Sequence, residues 1–529
     1  MLQYLLHLSH MFVLLAEMNK VKVSVIIPAC NEEESLQSVV QEIKKITPFE
    51  IIVVVNGATD NTALIAKQEG CKVLTYQEKL GINIGRAIGA KKAKGDILLF
   101  LDGDIVVPFE ELNQYVQAIK DGHDLALNDL EWTMKRKIRP HVVAVSKYML
   151  NLSLKRPDLT VQAVTAIPHA IKRSSAEKIG FENLAHPPLM QTIAILKGMS
   201  VVYPCSTDVI YTNRIRNTHK TLVPNSPFPF STESILADHL KAFSHLIYQK
   251  GVRGGLTDGN RNRQIVSEYT PTLLKRERCK TSAIIPVGEE RETIHLVIQE
   301  VQKAGIEEII VVANGSDEIT ISRAREAGAT VLVYPNRLGH NVPRAIGAMY
   351  SSGDICLFID GDIVISAENL QPFIRAAENG VDVALNNLEC LLDQVHPLHS
   401  VSAAKYFLNA ISKRPDLTIN TTTAIPHAIK REVMEKVGYD SLIIPPLFHL
   451  KSLLAGFSVK PIHFVDVART NRIRKEHLKT IGLPQSTERI LGDHIEAIAY
   501  LLNETTERGL FLKDTRRHDI LSEVMRDEN

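Results

Sequence analysis

The stretch ILLFLDGDI, residues 97–105, decides the architecture of this chain of 529 residues. Five apolar residues lead into Asp102-Gly103-Asp104, and the pattern returns as ICLFIDGDI at residues 355–363. Short apolar runs that stop at a turn are typical of buried parallel strands. The sequence therefore predicts two strands, each ending in two carboxylates separated by one glycine.

The repeat extends far beyond this stretch. A shift of 258 positions places Asp102 on Asp360, and it also maps Pro28 on Pro286, Asn56 on Asn314, Arg86 on Arg344 and His219 on His477. Solenoid repeats have periods of roughly 20–50 residues, so this much longer period indicates a duplicated domain. We expect an apolar extension at 1–20, a first domain at 21–252, a linker at 253–279 and a second domain at 280–529. The linker is assigned because it lacks apolar periodicity.

Strands and helices are predicted to alternate within each copy. In the first copy, strands are expected at 23–27, 51–55, 72–74 and 96–101, with helices at 33–45, 61–70 and 82–94 between them. This order predicts right-handed crossovers and an α/β fold with a mostly parallel sheet. Ligands of such sheets bind at the carboxyl ends of the strands, so loops 28–32, 56–60 and 102–104 are expected to converge.

Composition narrows the class of protein. The net charge is +1, which gives no whole-chain reason to expect nucleic-acid binding. Six scattered cysteines without a C-x-x-C pair predict reduced thiols in a cytoplasmic protein. No stretch reaches about 18 uninterrupted apolar residues, so no transmembrane helix is predicted. Residues 1–17 are expected to pack on the domain or to be an extension before Met18; the alternative is peripheral contact with a membrane surface.

The Asp-Gly-Asp motifs are the first candidate sites. Their carboxylates, on Asp102, Asp104, Asp360 and Asp362, can bind Mg²⁺ or Mn²⁺ while diphosphate oxygens complete the coordination shell. Asp-Gly is also an ordinary turn dipeptide. The strand-like run before each motif and its recurrence favour the metal site over a plain turn.

Two basic features accompany the motifs. Arg86 and Arg344 lie on the predicted helix before each carboxylate strand, where they can bind a phosphate or the aspartates, or form a purely structural Arg–Asp bridge. A late Asn-Arg-Ile-Arg-x-x-His sequence ends at His219 and again at His477. Each histidine is either a metal ligand or a structural residue.

The opening motifs at residues 23–34, 56–62 and 101–105 resemble those of family 2-type glycosyltransferases, whose GT-A fold is Rossmann-like. The resemblance implies two such domains that move a sugar from a UDP- or GDP-linked donor to an acceptor hydroxyl or phosphate with Mg²⁺ or Mn²⁺. It assigns nucleotide contacts to Pro28, Asn31, Glu32 and Asn56, with Pro286 and Asn314 in the second copy. It assigns metal and diphosphate contacts to Asp102 and Asp104, and to Asp360 and Asp362.

This chain also departs from the family pattern. An acidic residue usually stands where Asn56 and Asn314 occur, and in the second copy Glu289 replaces Asn31. The Glu-Asp pair that supplies a general base in inverting members is missing, because the matching positions begin with His186 and Ile444. Either the enzyme retains anomeric configuration, or its acceptor is already an anion, or one copy is inactive.

The late basic cluster bears on the first explanation. It is similar to that of retaining glucosyl-3-phosphoglycerate and mannosylglycerate synthases, in which a late histidine binds the metal, and this likeness implies His219 and His477 as ligands. Two other functions stay open at this point. A nucleotidyltransferase is disfavoured by the acidic first loop, and a non-catalytic sugar-nucleotide-binding or scaffold protein is disfavoured by two intact Asp-Gly-Asp motifs.

Overall fold

The computed structural model describes residues 21–214, 216–268, 278–467 and 482–527, so the calls on residues 1–20 and on His477 lie outside the described residues. The chain divides into two compact units. Within the described ranges, the first unit consists of residues 21–132, 161–221 and 512–527, and the second consists of residues 133–160 and those between 222 and 511. The boundaries of the units therefore differ from those expected for the repeats, because each unit includes a segment of both copies.

The first unit is built on a seven-stranded sheet with the order β3-β2-β1-β4-β6-β5-β7. The strands are β1 Val23–Ala29, β2 Glu50–Asn56, β3 Lys72–Tyr76, β4 Ile97–Phe100, β5 Leu125–Ala126, β6 His169–Lys172 and β7 Val201–Val202. β6 is antiparallel to β4 and β5, and the other pairs are parallel. The chain reverses its direction of winding between β1 and β4, so the loops after these two strands face one crevice.

Helices cover this sheet. They span Leu36–Lys45, Thr62–Gln68, Ile84–Lys92, Phe109–Lys120, Arg173–Ile179, Pro187–Leu196 and His518–Arg526. The first three match the predicted helices at their centres and are shorter at their ends. Asp60 precedes the second of them by two residues, and its Oδ1 accepts a hydrogen bond from the backbone N–H of Thr62 at 3.0 Å.

The second unit repeats the sheet with the order β10-β9-β8-β11-β13-β12-β14. Its strands are β8 Cys279–Val287, β9 Glu308–Asn314, β10 Thr330–Tyr334, β11 Gly353–Phe358, β12 Val383–Asn386, β13 His427–Lys430 and β14 Val459–His463. Neighbouring residues of β8 face opposite cores, since Ile285 packs in one apolar cluster and Ile284 in another. The prediction of duplicated α/β domains with mostly parallel sheets is confirmed.

The helices of the second unit come from both copies. They span Val142–Ser153, Phe230–Lys250, Gln264–Ser267, Ile294–Lys303, Glu318–Glu326, Val342–Tyr350, Ala367–Glu378, Leu391–Gln394, Ser400–Ile411, Arg431–Val437, Pro445–Leu454 and Gln485–Glu504. Val142–Ser153 and Phe230–Lys250 of the first copy pack with Ser400–Ile411 and Gln485–Glu504 of the second. Within the described ranges, no helix combines the length and apolar character that a bilayer crossing requires.

Residues 253–268, inside the predicted linker, form a structured segment with a counterpart at 508–523. The shift between these segments is 255, since Arg253 matches Arg508 and Arg261 matches Arg516. In the second unit the Asn262 backbone N–H donates to the carbonyl of Leu338 at 2.8 Å. In the first unit the Arg517 N–H donates to the carbonyl of Leu80 at 2.9 Å. Each segment therefore docks beside the equivalent helix of the other copy.

Candidate active sites at the strand ends

An arginine–aspartate pair lies at the carboxyl end of β4 in the first unit. Arg86 Nη2 donates to Asp102 Oδ1 at 2.6 Å, and the arginine side chain is only 9% exposed while the aspartate is 36% exposed. In the part of the chain that the structure describes, the buried Nε–H of Arg86 has no hydrogen-bond partner. This geometry brings together the two predicted residues and leaves one face of the Asp102 carboxylate open to solvent.

Close packing positions the helix that carries Arg86. Asn83 precedes the helix in the left-handed region with φ 66°. A Cβ on Gly89 would lie 2.4 Å from Cγ2 of Ile26 in β1, so only glycine permits this approach of helix to strand. The same requirement recurs at Gly347, where a Cβ would lie 2.7 Å from Cγ2 of Ile284. Both copies therefore position their arginine, Arg86 or Arg344, by packing a helix glycine closely against an isoleucine of the neighbouring strand.

The second aspartate of the motif shares an arginine with Glu32. Arg216 Nη2 donates to Asp104 Oδ2 at 2.7 Å and to Glu32 Oε1 at 2.6 Å, and both carboxylates have side chains only 5% exposed. Glu32 Oε2 is buried and has no hydrogen-bond partner among the described residues. Two buried carboxylates thus converge on the guanidinium of Arg216, and one of their oxygens has no partner within the described part of the chain. These oxygens are a donor set that fits a hard divalent metal ion.

The pKa values of Glu32 and Asp104 are consistent with a cation-binding site. Burial, and then the negative charge of Asp104, raise the pKa of Glu32 to about 7 against the opposing effect of Arg216. Burial also raises the pKa of Asp104. Since a nearby divalent cation favours the ionised carboxylates, binding one here would oppose both shifts and favour the ionised form of Glu32.

The predicted nucleotide loops are joined around the same crevice. Asn31, at φ 61°, accepts a hydrogen bond on Oδ1 from the Thr59 N–H at 2.8 Å, which links the loops after β1 and β2. Asn56 Nδ2 donates to the carbonyl of Ala29 at 3.4 Å, and its Oδ1 accepts from the Leu80 N–H at 3.3 Å. Pro28 is the penultimate residue of β1, and Asn56 is the last residue of β2. The four predicted residues therefore lie at the carboxyl ends of these two strands and in the loop after β1.

The second unit preserves the arginine–aspartate pair and the asparagine contact of this arrangement. Arg344 Nη2 donates to Asp360 Oδ1, and Arg344 Nη1 donates to Asn341 Oδ1 at 3.0 Å. Asn314 Oδ1 accepts from the Leu338 N–H at 2.5 Å, as Asn56 does from Leu80. Asp362 lies at the position of Asp104, and Pro286 lies near the end of β8. The residue matching Arg216 falls outside the described residues.

The first loop of the second unit differs. Glu289, in place of Asn31, pairs with Arg337 at 3.0 Å, and both side chains are well exposed. Glu290 Oε2 accepts a hydrogen bond from the Gly288 N–H. The loop that the family resemblance assigns to the nucleotide therefore has different charge and hydrogen bonding in the two units.

The predicted metal ligand His219 lies in the one-turn helix Asn217–His219 and is exposed. Its Nδ1 accepts a hydrogen bond from the Arg216 backbone N–H at 3.2 Å. Arg216, from the same basic cluster, is the residue whose side chain contacts Asp104 in this structure. His219 as a ligand stays a prediction.

Sequence reasoning missed a buried histidine behind each arginine. His169 stacks on Phe100 with ring centroids 4.8 Å apart, its Nδ1 lies 3.0 Å from the Ala166 carbonyl, and it lines a small cavity with Arg86. Burial, aided by the charge of Arg86, lowers the pKa of His169 to about 3, so the ring is neutral. His427 repeats this arrangement against Phe358. The shared 258-residue shift was the signal that could have identified them.

Residues 24–135 and 282–438, more than half of the chain, match the family model for glycosyl transferase family 2. The chain belongs to glycosyl transferase family 2, and the family predicted from the opening motifs is confirmed.

Curated relatives share shorter segments. The chain is 34% identical over 115 residues to the undecaprenyl-phosphate 4-deoxy-4-formamido-L-arabinose transferase of Serratia proteamaculans (strain 568), covering 20% of this chain and 35% of that protein. It is 32% identical over 113 residues to the dolichol-phosphate mannosyltransferase of Pyrococcus furiosus, covering 20% and 32%. It is 37% identical over 98 residues to the glucosyl-3-phosphoglycerate synthase of Mycolicibacterium smegmatis, covering 16% and 32%. The matches thus span about a third of each relative's length.

Solved structures give a more distant likeness. Glucosyl-3-phosphoglycerate synthase from Mycobacterium tuberculosis, in complex with Mn²⁺, UDP and glucosyl-3-phosphoglycerate, is 18% identical with a TM-score of 0.32. The match covers 46% of this chain and 84% of that one.

Proposed function

We propose that this protein transfers a sugar from a nucleotide-sugar donor to an acceptor, with Mg²⁺ or Mn²⁺ bound at the Asp-Gly-Asp motif. The observation that carries the proposal is the convergence of Glu32 and Asp104 on Arg216, with one buried carboxylate oxygen unsatisfied. Membership of glycosyl transferase family 2 supports the reaction class. A UDP- or GDP-linked sugar is the proposed donor.

The chain's own residues perform the binding and orienting steps. Asp102 and Asp104 would hold the metal ion, which when bound neutralises charge on the departing diphosphate. Arg86 holds Asp102 in place through its 2.6 Å hydrogen bond. Arg216 supplies a guanidinium at the same carboxylates, where it can move to a donor phosphate as the cation arrives.

The loops after β1 and β2 are proposed to hold the nucleoside. Asn31 and Asn56 each bridge these loops through hydrogen bonds, so the surface offered to the base is pre-organised. Pro28 and Glu32 complete the set proposed for the first unit, and the carboxylate of Glu32 also lies beside the proposed metal position through the arginine that it shares with Asp104. Pro286 and Asn314 are proposed for the second, with Asp360 and Asp362 at its metal and His477 as a further ligand.

We infer an acceptor that carries a phosphate. Each of the three relatives' names includes a phosphate group, as undecaprenyl-phosphate, dolichol-phosphate or phosphoglycerate. An acceptor that attacks as an anion has no need of the general base that is missing at the His186 position. Retention of anomeric configuration is the alternative that the same absence supports. All six cysteines are free thiols, which supports a reducing compartment such as the cytoplasm.

Thermal melting of the full-length chain with UDP or GDP tests the proposal. The nucleotide should raise the melting temperature with Mn²⁺ present and much less without it, since saturation at 100 times Kd stabilises a protein by about 2.7 kcal/mol. The Asp102→Asn/Asp104→Asn variant is the control and should lose most of the shift. An unchanged melting temperature with every nucleotide and metal would rule out the donor site.

A further inference from the structure

A cluster of two histidines and one aspartate lies in the first unit, apart from the Asp-Gly-Asp motif. His518 Nε2 and Asp514 Oδ2 are 3.0 Å apart, and His186 Nε2 is 3.7 Å from the same oxygen. The two imidazole rings are nearly parallel, with centroids 5.4 Å apart. His186 is buried just before helix Pro187–Leu196, whereas Asp514 and His518 belong to the C-terminal segment.

The spacing of these atoms matches a transition-metal site. Ligand bonds of about 2.0–2.2 Å in tetrahedral geometry place neighbouring ligand atoms about 3.4 Å apart. The observed 3.0 and 3.7 Å lie on either side of that value, and the three ligand atoms lie within 4.8 Å of one another. Two imidazole nitrogens and one carboxylate are a typical zinc donor set, and a fourth position remains for water.

The carboxylate of the cluster is already oriented by a neighbour. Arg516 Nη1 donates to Asp514 Oδ1 at 3.1 Å and to Oδ2 at 3.2 Å. The Nε–H of the same arginine donates to the carbonyl of Ile82 at 2.8 Å. Such supporting contacts commonly fix the ligands of a metal site. They also connect the cluster to the loop just before helix Ile84–Lys92, which carries Arg86.

The second unit provides an internal comparison. Its docked segment places Arg261 Nε on the carbonyl of His340 at 2.9 Å, as Arg516 is placed on Ile82. There Asp258 stands beside the arginine, but Ile444 replaces His186 and Arg263 replaces His518. Arg263 donates to both oxygens of Asp258, at 2.7 and 2.8 Å.

Both histidines of the cluster, His186 and His518, are replaced in the second unit. In the second unit a guanidinium occupies the position beside the aspartate, and an apolar side chain replaces the buried imidazole. A buried imidazole that served packing alone would not require an imidazole partner on the docked segment. A shared metal ion requires both.

We propose that His186, Asp514 and His518 bind one zinc-class divalent metal ion, which fastens the C-terminal segment to the rest of the first unit. The site takes residues from both copies, because His186 belongs to the first repeat and the other two to the end of the second. Its nitrogen-rich donor set selects a borderline metal, whereas the Asp-Gly-Asp motif offers only oxygen to Mg²⁺ or Mn²⁺.

Metal analysis of the full-length chain tests the site. The protein is stripped with a chelator, reloaded with Zn²⁺, passed through gel filtration and analysed for zinc. The Asp102→Asn/Asp104→Asn variant should keep one zinc per chain, and the His186→Ile/His518→Arg variant, which copies the second unit, should lose it. Equal zinc content in the two variants would overturn the proposal, and this result is independent of the donor site.

A milder variant covers the case in which the double change disturbs folding. His518 is 44% exposed, so His518→Asn should melt like the wild type without metal. Its zinc affinity should fall at least about tenfold. Co²⁺ should give the wild type the visible absorption of a tetrahedral site, and this variant should weaken it. Unchanged affinity and absorption would show that these residues do not bind the metal.

Trypsin cleavage tests the fastening. Saturating Zn²⁺ should slow cleavage after Lys513, Arg516 and Arg517 in the wild type but not in His518→Asn. Equal cleavage rates with and without Zn²⁺ in the wild type would exclude a fastening role.

Discussion

The two Asp-Gly-Asp sites agree on one side and differ on the other. On the side proposed for the diphosphate, Arg86 binds Asp102 as Arg344 binds Asp360, and Ser35 and Thr293 donate to the carbonyls of Gly103 and Gly361 at 2.8 and 2.7 Å. On the side proposed for the nucleoside, the bridging Asn31 of the first unit is replaced by a surface ion pair of Glu289 in the second. Duplication has thus kept the groups suited to metal and phosphate while changing those that would contact the nucleoside.

The difference suggests a division of roles. The first site has an amide that joins its two nucleotide loops and a buried Glu32 beside Asp104. The second has a charged first loop, with Glu290 bound to the Gly288 N–H. We therefore expect the first site to perform most of the turnover, and the second to bind nucleotide more weakly or with a different preference.

The largest expected effect is a difference in turnover between variants of the two Asp-Gly-Asp motifs. Asp104→Asn should lower turnover of the nucleotide sugar by about 10²–10³-fold, the usual effect of removing one group that stabilises developing charge. Asp362→Asn, the matched control, should lower it by less than about tenfold. Steady-state release of the nucleoside diphosphate measures both, and the reverse ranking would assign the main site to the second unit.

A second pair of variants tests whether the helices that carry Arg86 and Arg344 pack on their strands in the same way. Gly89→Ala and Gly347→Ala each push a methyl group into a buried isoleucine, at 2.4 and 2.7 Å. Overpacking should cost about 1–3 kcal/mol, partly offset by the better helix propensity of alanine. Differential scanning calorimetry should show similar destabilisation in the two variants. A large inequality would show that the helix–strand contact is not shared.

The third prediction concerns pH. The pKa of Glu32 in the folded protein is raised to about 7, so folding favours its protonated form. That contribution is complete below the ordinary pKa near 4.5 and is lost as the pH rises through about 7. Metal-free wild type should therefore lose stability relative to Glu32→Gln between about pH 5 and 7. The difference in melting temperature between wild type and Glu32→Gln should change between these two pH values. An unchanged difference would contradict the burial of an ionisable Glu32.

The smallest expected effect is on nucleotide affinity, through the loop that carries Asn31. Asn31→Glu copies the second unit and removes the hydrogen bond to Thr59, worth about 1 kcal/mol. UDP affinity in the presence of Mn²⁺ should fall about fivefold by calorimetric titration. The reciprocal Glu289→Asn is the control for the other loop. Unchanged affinity in Asn31→Glu would remove Asn31 from the nucleotide site.

Much of this could be predicted from the sequence, because the relevant signals are local or repeated. Apolar runs marked β1, β2 and β4, and the 258-residue shift doubled the support for each motif. The order of strands then placed the Pro28 and Asp102 loops together. The sequence does not decide whether Arg86 binds the aspartates or a phosphate; the 2.6 Å hydrogen bond shows that it contacts Asp102. The close packing of Gly89 on Ile26, which holds the helix there, is not visible in the sequence either.

The rest depended on contacts between distant parts of the chain. Arg216 and Asp104 are 112 residues apart, and nothing local distinguishes Arg216 from His219 as the residue that contacts the motif. The docked segment at 253–268 was assigned to a linker because its polar side chains bind other side chains rather than forming an apolar face. Its counterpart at 508–523 follows a shift of 255, so the 258-residue register did not reveal it.

The most direct measurement is a crystal of the full-length protein soaked with UDP or GDP and Mn²⁺. An anomalous manganese peak should lie about 2.0–2.3 Å from a carboxylate oxygen of Asp104, in contact with diphosphate oxygens, with the base against the loops after β1 and β2. Nucleotide or manganese bound elsewhere in the first unit, with the strand ends of β1 and β4 unchanged, would contradict the assignment of this crevice as the donor site.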